Sequence, residues 1–220
     1  MLKVIVAGAA GRMGRRIVHM IHQNPNTTLV GAFERADHPD VDRDAGLMAG
    51  VGELSVGIAP SLEAVQEQGE VLIDFTAPEA TLTHMKEGVS RGLAMVIGTT
   101  AIKGEMLEEL ESLAQKTQCV FAPNMSVGVN VMFKVAEEMA RILGSDYDME
   151  ILETHHRLKK DAPSGTAMRL AQILAEAVGR DLEKVGVYER KWMIGQRTDE
   201  EIGIQTWRAG DITGEHTVMF

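Results

Sequence analysis

The chain opens on LKVIVAGAAGRMGRRIVHMI (residues 2–21), which predicts a buried strand, a glycine-rich turn and a helix. Residues 2–7 are apolar and largely β-branched, as is typical of a strand inside a parallel sheet. Glycines at positions 8, 11 and 14 follow, and the predicted helix starts at Arg12. Glycine lets the chain turn tightly and lets a pyrophosphate approach the backbone, while the helix N-terminus offers free N–H groups. The stretch therefore predicts a turn that binds a dinucleotide.

The alternation of short apolar strands with helices continues to about residue 122. Further strands are predicted at 28–33, 71–75, 94–97 and 118–122, further helices at 61–67, 76–91 and 104–116, and a loop at 36–52. Strands that alternate with helices in this way indicate an α/β fold with a doubly wound parallel sheet.

The pattern changes near residue 124. Helices are predicted at 127–143 and 167–178, a strand at 147–155, and strands separated by glycine turns across 185–220. This second region has α+β character and no strand–helix–strand repeat. We therefore expect two domains, at residues 1–126 and 127–220.

The net charge and the cysteine count exclude several classes of protein. The 220 residues carry a net charge of −10, whereas binding to nucleic acid needs clustered Lys and Arg. The single cysteine, Cys119, excludes an internal disulfide, and we interpret it as strand packing rather than a catalytic thiol. No apolar run approaches the roughly 20 residues that span a membrane, and no signal peptide is predicted. We expect a cytoplasmic protein that binds neither nucleic acid nor membrane.

Two observations bear on the dinucleotide prediction. The glycine spacing is G-x-x-G-x-x-G rather than the usual G-x-G-x-x-G, and a glycine turn without a ligand would look similar. Glu34 follows the second strand, where an acidic side chain meets the adenosine ribose hydroxyls. Arg35 comes next and could hold the 2′-phosphate of NADP. The pair favours use of either NADH or NADPH, with a solvated surface pair as the alternative.

Two more loops follow predicted strands, at the edge where parallel sheets bind ligands. Gly98, Thr99 and Thr100 follow the fourth strand, and Pro123 and Asn124 follow the fifth. Small and amide-bearing residues there suit contacts with ribose and with the nicotinamide carboxamide, although ordinary turns carry the same residues.

The polar run ETHHRLKKDAPSGTA, at 153–167, predicts a second site. Two histidines, one arginine and two lysines fall within residues 155–160. Ser164, Gly165 and Thr166 then begin a helix, whose N-terminal amides and hydroxyls can bind an anion. The run predicts a site for the carboxylates of a small acid, with His155 as proton donor. A basic solvated loop before a capped helix is the alternative.

The other histidines lack such neighbours in the sequence. We interpret them as surface or packing residues; they stand at positions 19, 22, 38, 84 and 216. None shows metal-ligand spacing, and the adjacent pair His155 and His156 has no further ligands nearby, so no metal site is predicted.

Six segments together resemble the dihydrodipicolinate reductase family of the lysine and diaminopimelate pathway. In family order they are VAGAAGRMGRRI, DFTAPEAT, VIGTTA, APNMSVGVN, ETHHRLKKDAPSGTA and RAGDITGEHTVMF, and they run from residue 6 to residue 220. The HH-R-x-K-x-DAPSGTA element is the most specific of them. The G-x-x-G-x-x-G spacing is this family's own form.

The resemblance implies a Rossmann-like cofactor domain and a mixed-sheet domain that binds substrate and assembles a homotetramer. The implied reaction is reduction of a cyclic, imine-type dicarboxylate by NADH or NADPH, in which His155 donates the proton and Lys159 stabilises charge or donates a proton. The residues implied to bind the carboxylates are His156, Ser164, Gly165 and Thr166. Those implied to hold the cofactor are Gly8, Ala9, Ala10, Gly11, Arg12, Met13, Glu34, Arg35, Gly98, Thr99, Thr100, Ala122, Pro123, Asn124 and Met125.

The sequence departs from the family pattern in two places. Ala77 stands where some members carry Arg, which removes one phosphate contact and weakens the expectation of NADPH use. Family members also continue past the position of Phe220 with a segment that returns to the cofactor domain. If nothing replaces that segment, we expect an exposed apolar face on the cofactor domain and a lower catalytic rate.

Two other functions stay open on the sequence alone. One is a non-catalytic NAD(H)-binding regulatory module, in which the run at 153–167 binds an anionic effector. The other is a dehydrogenase that acts on a different keto or imino acid. Turnover of the expected substrate distinguishes the reductase from the regulatory module, and NADH oxidation with other substrates but none with this one would indicate the different dehydrogenase.

Overall fold

The computed structural model describes residues 1–66 and 68–220 and divides the chain into two units, Met1–Pro123 and Asn124–Phe220. The predicted division, after residue 126, lies slightly further along the chain. The strands of the first unit are β1 (Leu2–Ala7), β2 (Thr27–Phe33), β3 (Ile58–Ala59), β4 (Val71–Asp74), β5 (Ala94–Ile97) and β6 (Cys119–Phe121). Its helices are α1 (Arg12–Gln23), α2 (Ala45–Ala49), α3 (Pro78–Ser90) and α4 (Glu105–Ala114).

The first unit has a parallel sheet with helices on both faces. Its strand order is β3-β2-β1-β4-β5-β6, and every pairing is parallel. Alternate residues of β1 belong to separate cores: Val4 packs in one cluster with Val18 of α1, and Ile5 in another with Met85 of α3. The predicted doubly wound α/β fold is confirmed. The strand order reverses between β1 and β4, which is where such sheets bind nucleotides.

Cys119 is a free, half-buried thiol at the start of β6. It packs against the core cluster that contains Ile5 and Met95, and burial raises the pKa of the thiol. A raised pKa leaves little thiolate at neutral pH, in agreement with a packing role.

Two local predictions in the first unit are wrong. The segment predicted as a helix at 61–67 forms bends and a turn at residues 61–64 and irregular chain at 65 and 66, and Glu67 lies outside the described residues. The guanidinium of Arg91 binds the main-chain oxygens of Leu62 and Val65, at 2.6 and 3.2 Å, and so occupies acceptors that a helix would use. The predicted loop at 36–52 contains α2, which is too short to show helical periodicity.

Asp44 stabilises the start of α2. Its carboxylate accepts hydrogen bonds from the amides of Gly46 and Leu47, both at 2.9 Å, and it also binds the amides of Leu54 and Val56. One acidic side chain thus caps the helix and closes the loop that follows it.

The second unit has a four-stranded mixed sheet. Its strands are β7 (Met149–His155), β8 (Gly186–Val187), β9 (Ile202–Arg208) and β10 (Glu215–Met219), and its helices are α5 (Val127–Leu143), α6 (Gly165–Ala177) and α7 (Leu182–Val185), with a 3-10 turn at Gly144–Asp146. The order is β10-β7-β9-β8, in which β10 is antiparallel to β7 and the other pairs are parallel. The mixed sheet expected from the resemblance is confirmed.

Residues 188–201 differ from the prediction of strands across 185–220, because no strand forms there. Arg190 contacts Glu150 of β7 at 2.7 and 2.8 Å, and Arg197 donates to the main-chain oxygen of Glu201 at 2.6 Å. Ion pairs and side-chain hydrogen bonds hold this segment where a strand would use ladder hydrogen bonds. Among the described residues, no helix has the length and apolar character required to cross a membrane.

Candidate functional site

In the glycine turn after β1, positions 8 and 14 have no room for a side chain. Gly8 has φ of +63°, and a Cβ there would lie 2.7 Å from the side chain of Thr76. Gly14 lies in the first turn of α1, where a Cβ would come within 2.1 Å of the carbonyl oxygen of Gly8. Glycine at both positions lets α1 begin directly against the turn. The first amides of α1 have no helical partner and can bind an anion.

A cavity of about 420 Å³ opens beside this turn. Gly8, Gly11, Glu34 and Arg35 line it, together with apolar walls formed by Phe33, Pro60, Leu62, Phe75, Ala77 and Ala80. Apolar walls suit a purine ring, and a carboxylate at the end of the second strand suits the ribose hydroxyls. The glycine turn and this cavity fit a dinucleotide.

Glu34 and Arg35 lie together on the rim of the cavity. The main-chain amide of Arg35 donates to Oε1 of Glu34 at 3.1 Å. The Arg35 side chain is exposed, with Nε 3.4 Å from Oδ1 of the exposed Asp37. An exposed ion pair of this kind is weak, so a phosphate can compete for the guanidinium.

The predicted loop after β5 contributes backbone rather than side chains. A Cβ on Gly98 would lie 2.0 Å from the ring of Phe75. Thr99 is buried, and its hydroxyl lies 2.7 Å from that of Thr81 and accepts from the amide of Thr76 at 3.1 Å. The Thr99 side chain is therefore occupied within the protein.

The other predicted cofactor residues fall in three places. Ala9 and Ala10 are buried in the glycine turn, whereas Arg12 and Met13 are exposed at the start of α1. Thr100, Ala122 and Pro123 follow β5 and β6, outside the lining of the cavity. The last two residues, Asn124 and Met125, belong to the second unit, where Nδ2 of Asn124 lies 3.3 Å from the hydroxyl of Thr166.

Glu153 is the centre of the polar cluster in the second unit. It lies on β7, is fully buried, and accepts from both terminal nitrogens of Arg208 at 2.8 Å. It also accepts from the amide of Ser164 at 2.9 Å, the hydroxyl of Thr206 at 3.2 Å and Nδ1 of His155 at 2.5 Å. Burial alone raises the pKa of Glu153, but the hydrogen bonds from Arg208, His155 and Ser164 outweigh it and lower the pKa to about 2. The carboxylate is therefore ionised at neutral pH.

His155 is held with its other ring nitrogen next to the turn between β9 and β10. Its side chain is 12% exposed. Gly214 approaches so closely that a Cβ there would lie 2.9 Å from Nε2 of His155. With Nδ1 donating to Glu153, Nε2 is the atom available for proton transfer, and the carboxylate fixes the orientation of the ring.

His156 and Lys159 follow on the loop after β7. Nδ1 of His156 is buried without a hydrogen-bond partner among the described residues. A buried polar atom of this kind is available to a ligand. The Lys159 side chain is 21% exposed, and its ammonium lies 2.9 Å from Oδ1 of Asp161 on the same loop.

The start of α6 leaves two amides free for an anion. Ser164 caps the helix, because its hydroxyl accepts from the amide of Ala167 at 3.1 Å. The amide of Ser164 is used by Glu153. The main-chain amides of Gly165 and Thr166 remain, and first-turn amides have no partner within a helix. Ser164 thus positions the helix rather than presenting its own polar groups.

The sequence indicates a surface or packing role for His216, and the contacts of this residue correct that interpretation. Its Nε2 lies 2.9 Å from the hydroxyl of Ser164, and its ring meets the His155 ring edge-on at a centroid distance of 5.2 Å. Burial, followed by the charges of His155 and Lys159, lowers the pKa of His216, although Glu153 opposes them. His216 therefore belongs to the site as a mainly neutral ring.

His216 and Arg208 reach this site from β10 and β9, so sequence distance conceals them. The segment RAGDITGEHTVMF carries both residues, and its resemblance to the family is the sequence signal for them.

Two family models match the chain, described as dihydrodipicolinate reductase N-terminus over residues 2–125 and C-terminus over residues 128–220. Relatives named 4-hydroxy-tetrahydrodipicolinate reductase in Syntrophus aciditrophicus and Syntrophobacter fumaroxidans are 50% and 51% identical, over 100% of this chain and 82% of each relative. A solved dipicolinate-bound dihydrodipicolinate reductase from Paenisporosarcina sp. TG-14 is 29% identical, with a TM-score of 0.72, over 100% of this chain and 83% of that one.

Proposed function

Since the chain belongs to the dihydrodipicolinate reductase family, we propose that it reduces 4-hydroxy-tetrahydrodipicolinate to tetrahydrodipicolinate with NADH or NADPH. This is a step of lysine and diaminopimelate biosynthesis. The observation that carries the proposal is the hydrogen bond between buried Glu153 and His155, next to the free amides of Gly165 and Thr166. It joins a proton donor to an anion site, as reduction of a dicarboxylate requires.

The first unit holds the cofactor. When bound, NADH or NADPH supplies the hydride. The first-turn amides of α1 bind the pyrophosphate, which the backbone of Gly8 and Gly11 lets approach. Glu34 binds the adenosine ribose hydroxyls, and Arg35 binds the 2′-phosphate when NADPH is used.

The second unit holds the substrate and moves the proton. Nε2 of His155 donates the proton, and the ionised Glu153 orients the ring through its contact with Nδ1. The Lys159 ammonium stabilises negative charge or donates a proton. His156 binds a carboxylate through its partnerless Nδ1, and the amides of Gly165 and Thr166 bind carboxylate oxygen. The dipicolinate in the related solved structure is a dicarboxylate, which supports this substrate class.

The non-catalytic regulatory module is not favoured. The relatives named as reductases are about half identical to this chain along all of its 220 residues. A regulatory protein would also need no proton donor held by a buried carboxylate.

We also propose that the chain forms a homotetramer, as the family resemblance implies, in the cytoplasm; the sheet of the second unit supports the self-association. Its β9 and β10 carry Trp207 and Met219, which are 60% and 48% exposed. Large apolar side chains exposed on a sheet are typical of a surface that binds another subunit. Light scattering should give four times the chain mass, and a monomer would refute this arrangement.

The test of the proposed function is a spectrophotometric assay that follows NADH loss with freshly prepared substrate. Turnover with 4-hydroxy-tetrahydrodipicolinate and none with other keto or imino acids is expected. Turnover only with another acid would identify a different dehydrogenase. Cofactor binding without any turnover would favour the regulatory alternative.

A further inference from the structure

A buried carboxylate in the first unit holds the ring of His84. Asp74, the last residue of β4, is fully buried, and its Oδ2 lies 2.7 Å from Nδ1 of His84 on α3. Its Oδ1 accepts from the amide and hydroxyl of Thr76, at 2.9 and 2.7 Å, and from the hydroxyl of Thr81 at 3.1 Å. Burial alone raises the pKa of Asp74, but His84 and Thr76 outweigh it and lower that pKa. Since an ionised carboxylate only accepts hydrogen bonds, Nδ1 of His84 is the donor.

The His84 ring faces the cofactor cavity. Phe33 fixes it from the side, in an edge-to-face contact with a centroid distance of 4.9 Å. The side chain is 17% exposed, and His84 lines the same cavity as Glu34 and Arg35. With Nδ1 bound to Asp74, Nε2 is the ring nitrogen left for a ligand.

Two basic side chains in the cavity lining, His84 and Arg35, could together bind an anionic group of the cofactor. Glu34 and Arg35 lie on the rim, and Glu87 of α3 also lines the cavity, with its carboxylate 3.9 Å from the guanidinium of Arg91. Among the lining residues, Arg35 and His84 are the ones that can carry positive charge. NADPH differs from NADH by a 2′-phosphate, which carries about −1.5 to −2 charge at neutral pH.

We propose that His84 binds the 2′-phosphate of NADPH through Nε2, together with Arg35, and that Asp74 orients the ring for this contact. The inference rests on the proposed function, because it requires that the cavity hold the adenosine end of the cofactor. NADH has an uncharged hydroxyl at this position and gains less from a hydrogen-bond donor than the charged phosphate does. His84 thus determines the preference between the two cofactors.

Two substitutions of His84 distinguish the role of Nδ1 from that of Nε2. In H84N the amide nitrogen stands near the position of Nδ1, so Asp74 keeps a donor while the group at Nε2 is lost. In H84Q the amide reaches the position of Nε2. The matched control is H22N, which makes the same change at an exposed histidine of α1 that is not part of the cavity lining.

The experiment measures dissociation constants for NADPH and NADH by calorimetry on the 220-residue chain and its variants. H84N should weaken NADPH binding roughly 10- to 100-fold, the size expected of a charge-assisted hydrogen bond, and leave NADH binding within about twofold. H84Q should retain more NADPH affinity than H84N, and H22N should match the wild type.

Three results would overturn the assignment. Equal weakening of both cofactors would place His84 against the adenine or in a purely structural role. Unchanged NADPH binding in H84N would show that Nε2 makes no contact. If H84N folds poorly, the comparison with H84Q decides: equal losses of NADPH affinity in H84N and H84Q would also show that Nε2 makes no contact. A wild-type chain that binds neither cofactor would refute the proposed function itself, which distinguishes the two failures.

Discussion

Nδ1 of His155 donates to the fully buried carboxylate of Glu153 at 2.5 Å, which leaves Nε2 as the nitrogen that can exchange a proton. Arg208 binds the same carboxylate through two nitrogens, so the acceptor is fixed as well as ionised. Orientation of a catalytic imidazole by a carboxylate behind it is a recurring device in enzymes. The pair explains how His155, the last residue of β7, can serve as the proton donor.

Replacing Gly214 by Ala should lower kcat while the protein stays folded. The new Cβ would lie 2.9 Å from Nε2 of His155, so the ring or the turn must shift. Small displacements of a catalytic group can cost up to about 100-fold in rate. We expect at least a tenfold drop in kcat in the NADH assay.

Gly210→Ala is the matched control for this change. Gly210 also has a positive φ, of +50°, but a Cβ there meets nothing within 4 Å. Both variants should lose about 1 kcal/mol of unfolding free energy from backbone strain. A Gly210 variant as slow as the Gly214 variant would show that strain, and not contact with His155, reduces the rate.

Replacing Gly14 by Ala should damage cofactor binding. Its Cβ would come within 2.1 Å of the carbonyl oxygen of Gly8, so α1 must move away from the turn. We expect at least a tenfold rise in the dissociation constants of both NADH and NADPH, since the pyrophosphate contacts are common to them. In Gly128→Ala the Cβ meets only Oγ of Ser126, at 3.8 Å, and binding should be unchanged. Normal NADH affinity in the Gly14 variant would contradict the placement of the pyrophosphate.

The low pKa of Glu153 predicts a pH-dependent part of the stability. Folding lowers this pKa from its ordinary 4.5 to about 2. The ionised carboxylate therefore stabilises the fold above about pH 5, by about 3 kcal/mol, and this contribution is lost as the pH falls towards 2. Urea unfolding of wild type and Glu153→Gln at pH 7 and pH 3 checks it. The difference between the two proteins should shrink at pH 3, and a constant difference would contradict the pKa.

The sequence predicted those features that depend on neighbours along the chain. The glycine turn, the strand–helix alternation and the capped start of α6 are local, because spacing and propensity act over a few residues. The helix predicted from Ser61 does not form for the opposite reason. Arg91, which follows α3 and is distant in the sequence, donates hydrogen bonds to main-chain oxygens of this segment.

The rest of the site could not be predicted because it is assembled from separate strands. Glu153 and Arg208 meet across β7 and β9, and His216 arrives on β10. The sequence indicates only a surface or packing role for His84, because its contact with Asp74 and its place in the cavity lining depend on the fold. Contacts between side chains on different strands leave no periodic signal in a single sequence.

The central claim is that His155 donates the proton in reduction of the substrate, and turnover of His155→Ala tests it most directly. We expect kcat to fall by two or more orders of magnitude while NADH affinity and the unfolding midpoint stay near those of the wild type. Lys159→Ala should also be slow, in keeping with its role in stabilising charge. A His155→Ala enzyme with near-normal kcat on freshly prepared 4-hydroxy-tetrahydrodipicolinate would contradict the account.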